Sequence, residues 1–124
     1  IIVIENPVGS VRTGVDKAGE PWQSKFYYPY GYIAGTKGAD GDGVDCFIGK
    51  NPTSDKVFII HQTDGQRNFD EDKVMLGFND KDQARDAYLA HHQSQGYIGV
   101  ITEMPFYEFK AKLQNEGKRG LRIE

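Results

Sequence analysis

At 124 residues the chain has the length of one domain, enough for a single hydrophobic core and too little for two. Hydrophobic residues at 38% and charged residues at 27% exclude a disordered chain. A formal charge of −3 excludes the basic footprint of a non-specific nucleic-acid binder, so no nucleic-acid partner is expected.

No run approaches the roughly 18 apolar residues that span a bilayer, so no membrane partner is expected either. Cys46 is the single cysteine, which leaves no disulfide framework or zinc cluster and fits a reducing, cytoplasmic setting. The chain opens without Met, directly in a strand-like run, and reads as residues 1–124 of a longer or processed protein.

In chain order, Ile1–Glu5 is a short β-type run closed by Asn6-Pro7, and Val11–Val15 is a second, ended by the turn-like Asp16-Lys17-Ala18-Gly19. In the aromatic stretch Phe26–Ile33, Pro29 and Gly31 argue against a regular central strand. Val44–Ile48, Val57–Gln62 and Lys73–Phe78 are compact apolar runs bounded by turn signals and read as strands. Asp80–Gln93 carries Ala84, Ala87, Tyr88 and His91 at helical spacing behind a possible Asp80 N-cap. Tyr97–Thr102 reads as a return strand. Pro105–Asn115 reads as an amphipathic helix with Gly117 beyond its end. Strands first and helices later give an α+β domain, a small β-barrel with two helices packed outside.

The informative segment is Asp40-Gly41-Asp42-Gly43-Val44-Asp45, on a glycine-rich loop entering an apolar strand. Three carboxylates this close repel and raise one another's pKa unless solvated or sharing a cation. Mg²⁺ prefers oxygen ligands and suits such a group. An acidic turn of Asp and Gly explains the spacing equally well. An EF-hand does not, because Val44 and Asp45 stand where it needs an oxygen ligand and a glycine.

A second acidic group, Asp64 and Asp70-Glu71-Asp72-Lys73, flanks two strands; it is either the charged tip of a hairpin or a set of carboxylates aimed at the first cluster. Tyr27, Tyr28, Tyr30 and Tyr32 crowd ahead of the Asp cluster and combine packing rings with phenol donors for phosphate. Arg12, Lys17 and Lys25 are the cations of the N-terminal portion. His61, His91 and His92 form no ligand set, since adjacent helical residues point about 100° apart, and read as surface or packing residues. Cys46, inside a strand, reads as a buried small hydrophobe.

Tyr30-Gly31-Tyr32-Ile33, followed by Asp40-Gly41-Asp42-Gly43-Val44-Asp45, resembles the signature of the soluble family I inorganic pyrophosphatases. Ile4-Glu5-x-Pro7, Val15-Asp16-Lys17, Thr63-Asp64 and Glu71-x-Lys73 agree with it, and the likeness covers roughly residues 1–78. It is similar in particular to the compact pyrophosphatase-like domains of phage and prophage proteins.

The resemblance implies a five-stranded, OB-like barrel with the site at its mouth, and Mg²⁺-dependent hydrolysis of pyrophosphate or a related small phosphoanhydride, with Mn²⁺ as a substitute. It implies metal ligation by Asp40, Asp45 and Glu71, with Asp45 bridging to a second metal, a further metal on Asp64 and Glu71, and Asp42 as the group that orients or deprotonates the attacking water. Phosphate contacts would come from Arg12, Lys73, Tyr30 and Lys25, with Glu5, Lys17 and Tyr88 in lesser roles. The chain departs from the family at Gly14, where a carboxylate is usual, and at Tyr88-Leu89, where a Tyr-Lys pair is usual. Two other functions stay open: a metal-dependent hydrolase of nucleotide phosphoanhydrides, and a non-catalytic binding module. An oligomer is also left open.

Overall fold

The computed structural model describes residues 1–39, 41–64, 66–91 and 97–124. Eight strands are present among them: β1 Ile2–Asn6, β2 Val11–Val15, β3 Pro21–Lys25, β4 Tyr30–Ile33, β5 Val44–Ile48, β6 Lys56–Thr63, β7 Phe69–Leu76 and β8 Ile101–Pro105. Helix α1 (Lys81–Ala90) follows β7, helix α2 (Phe106–Leu113) follows β8, and a 3-10 turn spans Glu116–Lys118.

Six strands form one sheet in the order β1-β4-β5-β7-β6-β8, while β2 and β3 pair only with each other. The α+β class and the two helices are as the sequence indicates, but the sheet is open and the expected five-stranded barrel is not formed. Its edges, β1 and β8, lie at opposite ends, and β2 and β3, which could have extended it, are held in their own hairpin. β8 passes straight into α2, with Pro105 as the helix N-cap. No helix among the described residues is long and apolar enough to cross a membrane.

Alternation along the strands divides the core in two. One face carries Phe47, Phe58, Ile60 and Met75, packed with Phe26, Phe78 and the α1 residues Ala84, Ala87 and Tyr88. The opposite face carries Val44, Cys46, Val57, Ile59 and Val74, packed with Met104, Phe109 of α2 and Ile123. Cys46 is buried, as expected, and its thiol is pushed up to about 12 by burial and by the neighbouring Asp45 charge.

Several boundaries differ from expectation. β4 is a regular interior strand despite Gly31, because the glycine admits the backbone of β1: a Cβ there would lie 2.9 Å from Ile4 Cα and would strike the Val3 carbonyl. β3 has no apolar alternation to announce it, yet the hairpin is closed by the Asp16 carboxylate, which accepts the N–H groups of Ala18 and Glu20 at 2.9 Å each. β7 begins four residues earlier than its apolar run, so Asp70, Glu71 and Asp72 are strand residues. α1 starts as expected, with the Asp80 carboxylate accepting Gln83 N–H at 2.8 Å, but ends at Ala90; His92 and Gln93 lie outside the described residues. The return strand is Ile101–Pro105, and Tyr97 stands outside it in an isolated bridge to Thr63.

Candidate active site

Three strands bring the site together. β5 and β7 are parallel neighbours with Asp45 opposite Lys73 and Phe47 opposite Met75. β4 pairs with β5 so that Tyr30 is opposite Phe47, and β6 pairs with β7 so that Gln62 is opposite Glu71. Residues two apart share a face. The α1-covered face therefore runs from the apolar row of Phe47, Met75 and Phe58 to a polar row of Asp45, Lys73, Glu71 and Gln62.

Lys73 is the centre of that row. Its Nζ lies 2.8 Å from Asp45 Oδ2 and 2.6 Å from Glu71 Oε1, and it donates to the Tyr30 hydroxyl at 2.9 Å. The Lys73 side chain is only 12% exposed, with Asp45 at 21% and Glu71 at 18%, so these charges meet in a setting less screened than the surface. Burial alone would lower the Lys73 pKa. Contact with Tyr30, Asp45 and Glu71 outweighs it, and the ammonium is held well above its ordinary value. Tyr30 is likewise held well above the usual phenol range, chiefly by burial, and stays a neutral hydroxyl.

Gln62 extends the row, and nothing in the sequence singles it out. Its amide Nε2 donates to Asp70 Oδ2 at 2.9 Å and to Glu71 Oε1 at 3.5 Å, while its Oε1 accepts the Tyr88 hydroxyl at 2.7 Å. Tyr88 is buried in α1, and its phenol is pushed up to about 12, first by that burial. It thus reaches the carboxylates through Gln62.

The other expected residues are distributed as follows. Arg12, on β2, holds its guanidinium over the rings of Phe26 and Tyr30 at 5.6 and 5.9 Å, and donates to Asn6 Oδ1 at 3.1 Å. Asp42 sits exposed in the bend before β5. Asp64 closes its own loop: its Oδ1 accepts Asn68 N–H at 3.0 Å and Gln66 N–H at 2.7 Å, and these bonds hold it below the usual carboxylate range. Lys25 lies 6.0 Å from the Tyr27 ring centroid, Lys17 is exposed on the β2–β3 turn, and Glu5 is exposed on β1. Asp40 lies outside the described residues.

His61 and His91 belong to the structure rather than to this row. His61 and Asp72 are on the opposite face, joined Nδ1 to Oδ1 at 2.6 Å, with His61 Nε2 2.7 Å from Thr102 Oγ1 and Asp72 Oδ2 accepting Ile123 N–H at 2.7 Å. His91 is buried against Phe26, Phe47 and Tyr28.

The donor set fits a hard divalent cation in part. Asp45 Oδ2, Glu71 Oε1 and the Tyr30 oxygen already surround one positive centre, the Lys73 ammonium, and all are oxygen donors of the kind Mg²⁺ selects. Among the described residues no three acidic, histidine or cysteine side chains form a group able to hold a metal.

The family model described as Inorganic Pyrophosphatase matches residues 1–114. Comparison with curated proteins gives no significant match. Among solved structures, an inorganic pyrophosphatase from Coxiella burnetii aligns over 82% of this chain and 83% of its own, with 14% identity and a TM-score of 0.45, a likeness too loose to add weight.

Proposed function

Because the chain belongs to the inorganic pyrophosphatase family, a family of hydrolases, we propose that it splits pyrophosphate into two phosphates using Mg²⁺ held by Asp40, Asp45 and Glu71. The convergence of Asp45, Glu71 and Tyr30 on Lys73 carries this reading. Paired carboxylates on one sheet face, with a half-buried cation between them, form a charge-dense centre that suits a metal and a phosphate better than it suits a solvated turn. Mg²⁺ bound there would lower the pKa of a coordinated water and offset phosphate charge; Mn²⁺ offers the same chemistry.

The chain's own residues divide the remaining work. Lys73, Arg12 and the neutral Tyr30 hydroxyl bind phosphate oxygens, and Lys25 adds a second cation from the hairpin. Asp42 takes a proton from water as that water attacks one phosphorus. The bridging P–O bond then breaks, and the departing phosphate leaves with its electron pair while Lys73 and Arg12 counter its charge. Asp64 and Glu71 would hold a further metal. Tyr88 positions Gln62, which steadies Asp70 and Glu71. Glu5 and Lys17 act on the outer field alone. A reducing, cytoplasmic setting accords with the single cysteine.

Phosphate release from pyrophosphate, measured with and without millimolar Mg²⁺, tests the reading. Release that needs the metal is expected, and no release at any Mg²⁺ concentration would overturn it.

A further inference from the structure

We propose that this site also takes nucleoside polyphosphates, with the base stacked on Trp22; the inference rests on the phosphate chemistry proposed above. In the β2–β3 hairpin Gly14 is opposite Trp22 and Arg12 is opposite Ser24, so Arg12 and Trp22 are diagonal neighbours on one face. The hairpin pairs with no other strand, and that face turns Arg12 onto Phe26 and Tyr30.

The indole lies across Gly14. A Cβ built on the glycine would lie 2.6 Å from Cε2 and 2.9 Å from Nε1, so the missing side chain is what lets the ring seat there. An indole fixed by close contact with backbone is a preorganised stacking surface. Trp22 is half-buried, so part of the indole stays open to solvent beside Gly14.

From the indole the same face leads to the Arg12 guanidinium, then to Tyr30, whose hydroxyl accepts from Lys73. The ligand that uses both ends is a phosphoanhydride carrying a planar aromatic group, with its phosphates toward Arg12 and Lys73 and its base toward Trp22. Stacking tolerates any base, so the class is nucleoside polyphosphates rather than one nucleotide. The reaction is ATP plus water giving ADP and phosphate. The oxygen of water bonds to the terminal phosphorus, the bridging P–O bond breaks toward ADP, and Asp42 accepts the proton.

Trp22 is the chain's single tryptophan, so its fluorescence reports this ring alone. Titration with the β,γ-imido analogue of ATP in millimolar Mg²⁺ should quench it saturably, and imidodiphosphate should not. Trp22→Leu should lower kcat/KM for ATP relative to pyrophosphate by roughly tenfold, within what a base stacked on an aromatic ring contributes, and Trp22→Phe should keep most of the preference. An unchanged ratio in Trp22→Leu, or no quenching by the ATP analogue, overturns the inference. Quenching in a protein that releases no phosphate from pyrophosphate would leave the base site standing and remove the hydrolytic reading. Pyrophosphate hydrolysis without quenching would do the reverse.

Discussion

Asp45 and Lys73 face each other across the parallel pair β5–β7, with Oδ2 and Nζ 2.8 Å apart, and Glu71 closes on the same ammonium from two residues back along β7. Without metal, Lys73 is the cation that keeps two carboxylates together in a half-dry setting. Lys73→Met leaves them uncompensated and should lower stability by about 3 kcal/mol, the scale for removing one partner of a buried ion pair. Mg²⁺ should then restore more of the melting temperature in the variant than it adds to the parent. Equal Tm values for the two metal-free proteins would show that the ammonium holds nothing together.

Metal binding itself should be visible in the parent. A site filled at 100 times its dissociation constant adds about 2.7 kcal/mol to stability, so Mg²⁺ or Mn²⁺ should raise Tm, and Asp45→Asn should abolish the rise. A parent melting curve indifferent to millimolar metal would remove Asp45 and Glu71 from the role of ligands.

Asp42 offers a cleaner separation of binding from chemistry, because it is exposed ahead of β5 and away from the core. Asp42→Asn should leave the Mg²⁺-induced rise in Tm largely intact and lower turnover by about 10²–10⁴, the scale of a lost general base. Turnover within a factor of two of the parent would give the proton to another acceptor.

How far the sequence reached follows from how local each signal is. Tyr30–Ile33 and the Val44-Asp45 end of the acidic hexad lie within sixteen residues and pair as adjacent antiparallel strands, so their association is legible. Lys73 is legible beside the second acidic group and as a family position, but its place next to Asp45 depends on a parallel pairing 28 residues apart in sequence. Gln62 was invisible because an amide at the end of an apolar run carries no pattern of its own. Asp70-Glu71-Asp72 reads either as one charged tip or as carboxylates aimed at the first cluster, and strand alternation divides it, sending Glu71 to the Lys73 row and Asp72 to a buried bond with His61. The barrel expectation failed for a similar reason: closure depends on which strands pair with β2 and β3, and no local residue sets that choice.

His91 makes stability depend on pH in a direction the geometry fixes. Its Nδ1–H donates to the Ala87 carbonyl at 2.6 Å and its Nε2 accepts Tyr27 N–H at 2.9 Å, so the neutral ring is fully used and protonation would break the second bond. Burial, the larger influence, lowers its pKa below the ordinary 6.5. The unfolded chain therefore takes up the proton first. Stability is complete above about pH 6.5 and declines as pH falls through that value toward the folded pKa, by at most about 1.4 kcal/mol per unit. Denaturant unfolding at pH 7.5 and 5.5 should show a steeper decline in the parent than in His91→Gln, since every other group is common to both. Parallel declines would mean that His91 titrates alike folded and unfolded.

Gly14 and Trp22 set the last expectation. The resemblance to the family would place a carboxylate at position 14, and restoring it with Gly14→Glu would be expected to help hold metal. A positive φ would be the other reason for a glycine there, but Gly14 is not among the glycines with positive φ. What excludes a side chain is the indole, which any Cβ would meet inside normal contact distance. Gly14→Ala and Gly14→Glu should therefore both destabilise, by about 1–3 kcal/mol, the usual range for overpacking, and neither should move the Mg²⁺ activation curve to lower concentration by itself. The cause predicts its own rescue: adding Trp22→Leu should return most of the lost stability to both variants, because the flexible branched side chain vacates the space over position 14. In that background the Glu has room, and a leftward Mg²⁺ shift confined to Gly14→Glu/Trp22→Leu would show that the ring took the place of a metal-side carboxylate. Single variants as stable as the parent would mean that the indole swings away freely, and the seating of Trp22 on Gly14 would have to be abandoned.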